Sequence, residues 1–170
     1  SIIDLGSRHQ VVTPIWGDGN EDAQTLRLLY YDSWVRHYGV PDELWIDANG
    51  AHVSEQFIEG LAADGTYPRV AAGGAHWQLG VIERHGQILE ARFRKVLESV
   101  KPTTREEWKF TLDSTLTAKN HTVLHHGHAP SAHLFDRMPK IPAELMDEQQ
   151  CPTSREMASV HDTFARAQEV

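Results

Sequence analysis

At 170 residues, 40% of them hydrophobic, the chain is long enough for one domain with its own core, and no run of about eighteen apolar residues argues for a membrane span. A formal net charge of −8 excludes attraction to nucleic acid through overall charge, so any such contact must rest on a local site. The single cysteine, Cys151, cannot form an internal disulfide, which makes a reducing compartment such as cytoplasm or nucleus the expectation.

The start carries charges and moves directly into strand-like sequence, so no signal peptide is expected. Ser1 to Asp4 and Gln10 to Trp16 read as two strands around a tight turn at Gly6-Ser7. The second is rich in β-branched Val11, Val12, Thr13 and Ile15. Asn20 is a plausible N-cap for a helix from Glu21 to Tyr38, where Leu26, Leu29, Tyr30, Trp34 and Tyr38 recur at helical spacing before Gly39 and Pro41. Glu43 to Asp47 reads as a short buried strand ending in a carboxylate at the Asn49-Gly50 turn. Ser54 can cap a helix with Phe57, Ile58 and Leu61 on its inner face. Tyr67 to Ala72 is a further strand, followed by a hinge at Gly73-Gly74.

Gly80 to Val100 is the longest helix, with a stripe of Ile82, Leu89, Phe93, Val96 and Val100. Thr104 to Lys119 follows, opened by a capping-box pattern ending at Glu107 and buried through Trp108, Leu112 and Leu116. The proline-broken stretch 121–146 reads as an irregular arm, and 147–170 as a linker with a weakly amphipathic helix from Arg155 to Gln168. This order predicts an α/β fold in which residues 1–120 build a mixed sheet covered by helices. The Asp47 strand, arriving after a helical crossover, is free to run parallel to one of the first two strands.

Two carboxylates draw attention. Asp47 ends a strand, where loops of an α/β sheet open a crevice. Glu83 stands in the first turn of the long helix. Hard oxygen donors on two rigid elements suit a divalent cation such as Mg²⁺, and ion pairs of that kind drive phosphoryl transfer. The bland reading is equally concrete: Asp47 caps its own turn, and Glu83 complements the helix dipole.

The wider pattern resembles the integrase catalytic core of long-terminal-repeat retroelements and retroviruses. Trp34-Val-Arg-His-Tyr-Gly-Val-Pro41 is similar to that family's helix end, and Trp45-Ile-Asp-Ala-Asn-Gly-Ala-His-Val-Ser-Glu-Gln-Phe57 to its second-aspartate motif. His76-Trp-Gln-Leu-Gly-Val-Ile-Glu-Arg84 resembles the phrase carrying its last glutamate, and the thirty-five residues between Asp47 and Glu83 match its spacing. Ala129-Pro-Ser-Ala-His-Leu-Phe135 resembles the stretch that ends its core. The resemblance spans Ile2 to Leu145. Trp77 stands where proline is usual, and Gly86 where asparagine is common.

The resemblance implies an RNase H-like fold, a DDE triad, Mg²⁺ or Mn²⁺, DNA as partner and assembly as a homo-oligomer. It makes Asp47 and Glu83 catalytic metal ligands, the second and third acids. Residues Ile2 to Pro14 match the family's second and third strands, so its first strand and first acid are expected upstream of Ser1, and Asp4 is expected to be an Asx-type turn residue. Trp77, Gln78, Arg84, Gln87 and Arg94 are the candidate DNA contacts, Trp77 by stacking or by packing under a loop. Their alternative is a solvated helix face. His125, His126 and His128 match no common zinc spacing and are read as loop residues.

The function implied is metal-dependent DNA integration, through 3′-end processing and strand transfer. Two alternatives stand beside it: a catalytically inactive or domesticated interaction domain, and another RNase H-like nuclease or transposase.

Overall fold

In the computed structural model, the β-branched start of the chain makes only a short hairpin. The structure describes residues 1–16, 22–48, 50–71 and 79–136, all within one unit, Ser1–Arg137. The helix expected from Arg155, the hinge at Gly73-Gly74 and the linker lie outside the described residues. β1 (Ile2–Ile3) pairs antiparallel with β2 (Gln10–Val11), Ile2 opposite Val11. Asp4 holds the turn as expected, its Oδ2 accepting the Ser7 N–H and hydroxyl, both at 2.6 Å. The ladder stops at Val11 instead of reaching Trp16, because β1 offers two residues for pairing and Pro14 has no N–H to give.

Helix α1 (Ala23–Tyr30) is capped by Asp22, whose Oδ1 accepts the Thr25 N–H at 2.7 Å, so the cap is Asp22 and not Asn20. It runs through a wider π turn (Tyr31–Val35) into α2 (Arg36–Tyr38), and the inserted turn keeps Tyr30, Trp34 and Val35 all buried. β3 (Glu43–Ile46) pairs parallel with β4 (Tyr67–Val70), and α3 (Glu55–Ala63) makes the crossover. The expectation that β3 is buried holds for one face only. Ile46 faces the core, but Glu43 and Trp45 point outward, paired in register with exposed Tyr67 and Arg69. β3 also pairs with β4 alone among the described strands, not with β1 or β2.

Both ladders rest on one apolar cluster. Ala23, Tyr30, Trp34, Val35, Ile46, Phe57 and Leu61 form its buried centre, with Ile2, Val11 and Leu44 packed against it. Gly60 lets α1 approach α3 closely, since a Cβ there would stand 3.0 Å from the Arg27 guanidinium that pairs with Asp64.

α4 (Gly80–Val100) and α5 (Arg105–Thr122) form a second layer around Leu89, Leu112 and Leu116, with Val12, Phe93 and Trp108 at its rim. The Thr104–Glu107 capping box is present. α5 continues past Lys119 because Lys119 and Asn120 are themselves buried. The arm is not wholly irregular: Pro130 at the start of α6 (Pro130–Phe135) suits a first helical turn, where its missing N–H costs nothing. The result is a mixed α/β fold.

Candidate functional site

The parallel β3–β4 pair aims β3 so that Asp47 emerges directly after its last residue, exposed to solvent. Glu83 stands exposed in the first turn of α4, its backbone N–H bonded to the Leu79 carbonyl at 3.1 Å. Asp47 follows the end of a strand and Glu83 stands in a helix, and both side chains are exposed. Among the described residues, however, no group of three or more His, Cys, Asp or Glu side chains is arranged to hold a metal ion. The two acids are donors of the right class for Mg²⁺ or Mn²⁺ but form an incomplete set.

Arg84 and Gln87 are exposed on α4. Arg94 is exposed too, and it is engaged by Glu90 at 2.6 Å, one turn away. Trp77 and Gln78 lie outside the described residues. His125 and His128 form a one-bridge turn closed by Gly127 at φ 85°, with a His133 ring nitrogen 3.1 Å from the His125 carbonyl oxygen. That is the loop role expected of them.

A different set of polar groups gathers inside the fold. Asn120 of α5 reaches the outer edge of β2: its Nδ2 donates to the Gln10 carbonyl at 2.8 Å, and its Oδ1 accepts the Gln10 N–H at 3.2 Å. Lys119, beside it, is fully buried, and its ammonium has no hydrogen-bond partner. Burial, reinforced by Arg92, pushes the Lys119 amine down to about 8. His9 bonds the Tyr38 hydroxyl through Nε2 at 3.2 Å and leaves Nδ1 buried and unpartnered. Burial and then Lys119 hold His9 down at about 4. His85 is likewise pushed to about 4 by burial, followed by Lys119, Arg8, His125 and Arg84, and its Nδ1 is also unpartnered. None of these residues was singled out from the sequence. The available signal was spacing, since Leu112, Leu116 and Lys119 share one helical stripe.

Next to this cluster, a groove of about 430 Å³ runs between β2, the π turn, α5 and α6, with His9, Tyr38, Leu116, Asn120, His121 and Phe135 among its walls. No helix among the described residues is long and apolar enough to cross a membrane.

The chain matches no protein-family model and no curated protein. Solved structures do resemble it. It aligns with a chain of the simian T-cell lymphotropic virus intasome in complex with PP2A regulatory subunit B56 gamma, at a TM-score of 0.65 and 21% identity, over 82% of this chain and 49% of that one. The chain thus spans about half the length of that protein. It also aligns with the HTLV-2 integrase catalytic core domain in complex with magnesium. For the dimeric form the TM-score is 0.58 at 16% identity, over 75% of this chain and 77% of that one. The trimeric form gives 0.58 and 16%, over 75% and 78%. At such identities the likeness establishes the fold: this chain is folded like a retroviral integrase catalytic core.

Proposed function

We propose that this chain is the core of a retroelement integrase, in which Asp47 and Glu83 are two of the acids that hold Mg²⁺ or Mn²⁺ at a DNA end. The observation that carries the reading is the placement of two exposed carboxylates, one at the C-terminal end of a parallel strand and one in the first turn of the longest helix, on an integrase-like fold. Bound there, divalent ions would supply activation of a nucleophile and stabilisation of a leaving oxygen in phosphoryl transfer. The chain's own part is to fix two oxygen donors on rigid elements, and to offer Arg84 and Gln87, with Trp77 and Gln78, to the DNA backbone and bases. Integrase neighbours occur in dimeric and trimeric forms, and self-association is proposed here too.

The third acid would come from an additional extended strand. Both ladders pack on the same apolar cluster and, among the described strands, do not pair with each other, so each keeps an edge at which such a strand can pair. The 170-residue chain alone is therefore expected to give weak or no strand transfer on an oligonucleotide duplex with Mg²⁺ or Mn²⁺. A longer polypeptide supplying an acidic strand is expected to be active, and to lose activity in Asp47→Asn and Glu83→Gln. Robust transfer by the 170-residue chain, abolished by Glu83→Gln, would refute the need for a third acid. Inactivity of both forms with DNA binding retained would favour the second reading, an inactive interaction domain, which the net charge of −8 supports.

A further inference from the structure

The outer face of the β3–β4 pair carries two aromatic side chains that the core does not use. In-register pairing sets Glu43 opposite Tyr67 and Trp45 opposite Arg69. Strand alternation puts all four on one face, while Ile46, of the other parity, belongs to the buried cluster. Trp45 is 37% exposed and Tyr67 61%. The Arg69 guanidinium carbon stands 5.1 Å from the Tyr67 ring centre and 5.8 Å from that of Trp45. Glu43 fixes that guanidinium, accepting from Nε at 2.9 Å and from Nη2 at 2.7 Å.

Each member of the set restrains the next, so two rings and one planar cation present a single preset surface. Because Glu43 matches the charge of Arg69, that surface offers a DNA phosphate no net attraction. Its complement is another planar ring, and a nucleic-acid base stacks on aromatic and guanidinium planes whatever its identity. Bases inside a duplex have both faces covered, so only an unpaired one fits. The row also leads to a reactive group. The Ala71 N–H bonds the Ile46 carbonyl at 2.9 Å, so ladder hydrogen bonding runs to the end of β3. Position 47 then continues the alternation of 43 and 45, roughly 6.6 Å beyond Trp45 along the strand.

We propose that Trp45, Tyr67 and Arg69 form a platform on which an unpaired base of the DNA end stacks, setting the neighbouring phosphodiester at Asp47. The inference rests on the reading of Asp47 and Glu83 as a metal site at a DNA end, and extends it to how the strand is gripped. An exposed aromatic face also suits a protein segment, but the continuity of this one with Asp47 favours DNA. Stacking itself needs no metal, so the platform holds a base even where Asp47 is replaced.

The test compares two oligonucleotide duplexes, one fully paired and one with a non-complementary, splayed end, by fluorescence anisotropy in EDTA. The chain is expected to bind the splayed duplex at least about fivefold more tightly, the lower end of what one stacked base contributes. Tyr67→Ala, at the more exposed position, and Trp45→Ala should each reduce that preference, while Trp45→Phe and Asp47→Asn should keep it. The preference should survive added salt, because stacking releases no counterions. Equal binding of the two duplexes by the wild type, or a preference untouched by both alanine variants, overturns the proposal. So does a preference that salt abolishes, which assigns it to phosphate contacts. Self-association lost in Tyr67→Ala, without any preference between duplexes, overturns it in favour of a protein partner. The metal reading fails separately: if the longer polypeptide transfers strands equally well as Asp47→Asn, that reading falls while a persisting splayed-end preference still supports the platform.

Discussion

His9 and His85 enter the fold as neutral imidazoles, and that choice has a pH signature. Both are held at about 4 in the folded chain, against about 6.5 when unfolded. As the pH falls below 6.5 the unfolded chain takes up protons that the folded chain refuses. Stability is therefore full above pH 6.5 and declines as the pH falls through 4. For His9, with its 7% exposure, the loss approaches about 3 kcal/mol at the acid end. Urea unfolding at pH 7 and pH 4.5 should show a drop that His9→Asn makes visibly smaller; an unchanged drop would remove His9 from the account. At this scale the sequence was uneven as a guide. Asp47 and Glu83 could be located because their neighbours form recognisable phrases around them. Lys119, His9 and His85 could not, because a cation or imidazole is expected outside, and only the packing of α5 on β2 and α4 buries Lys119 and His9 and half-buries His85.

Asn120 does for β2 what another strand would do, satisfying both the N–H and the carbonyl of Gln10. Asn120→Ala would leave both groups buried and unpaired, at about 2–6 kcal/mol in all, from roughly 1–3 kcal/mol for each orphaned group. Denaturant unfolding measures this directly, and a loss below about 1 kcal/mol would mean that water replaces the amide. The same element explains what was legible and what was not. Helices α1, α3, α4 and α5 could be read because an apolar stripe every three or four residues is a local property. The strand limits could not, because the end of β2 depends on a two-residue partner and on an asparagine 110 positions away. The exposure of Trp45 was equally hidden, since an apolar run does not say which of its faces a helix will cover.

Leu61 has no exposed surface and sits in the cluster that carries both ladders. Leu61→Ala is expected to cost about 2–5 kcal/mol, with both ladders losing protection from hydrogen exchange together. If one ladder kept its protection, the cluster would not be a single cooperative unit. The fold class was legible from the alternation of strand and helix patterns. The division of the four described strands into two separate ladders was not, because it depends on which edges find partners in space.

The bond from Gln10 to Asn120 also has a consequence in time. A ribosome adding about 5–20 residues per second needs roughly 5–20 s to make the 110 residues between them. Through that interval β1 and β2 can pair with each other, but the far edge of β2 has no partner from α5. The nascent chain therefore carries an open edge at β2 until α5 has been made, and a factor that shields such edges would raise the yield of folded protein more than one that hastens helix formation.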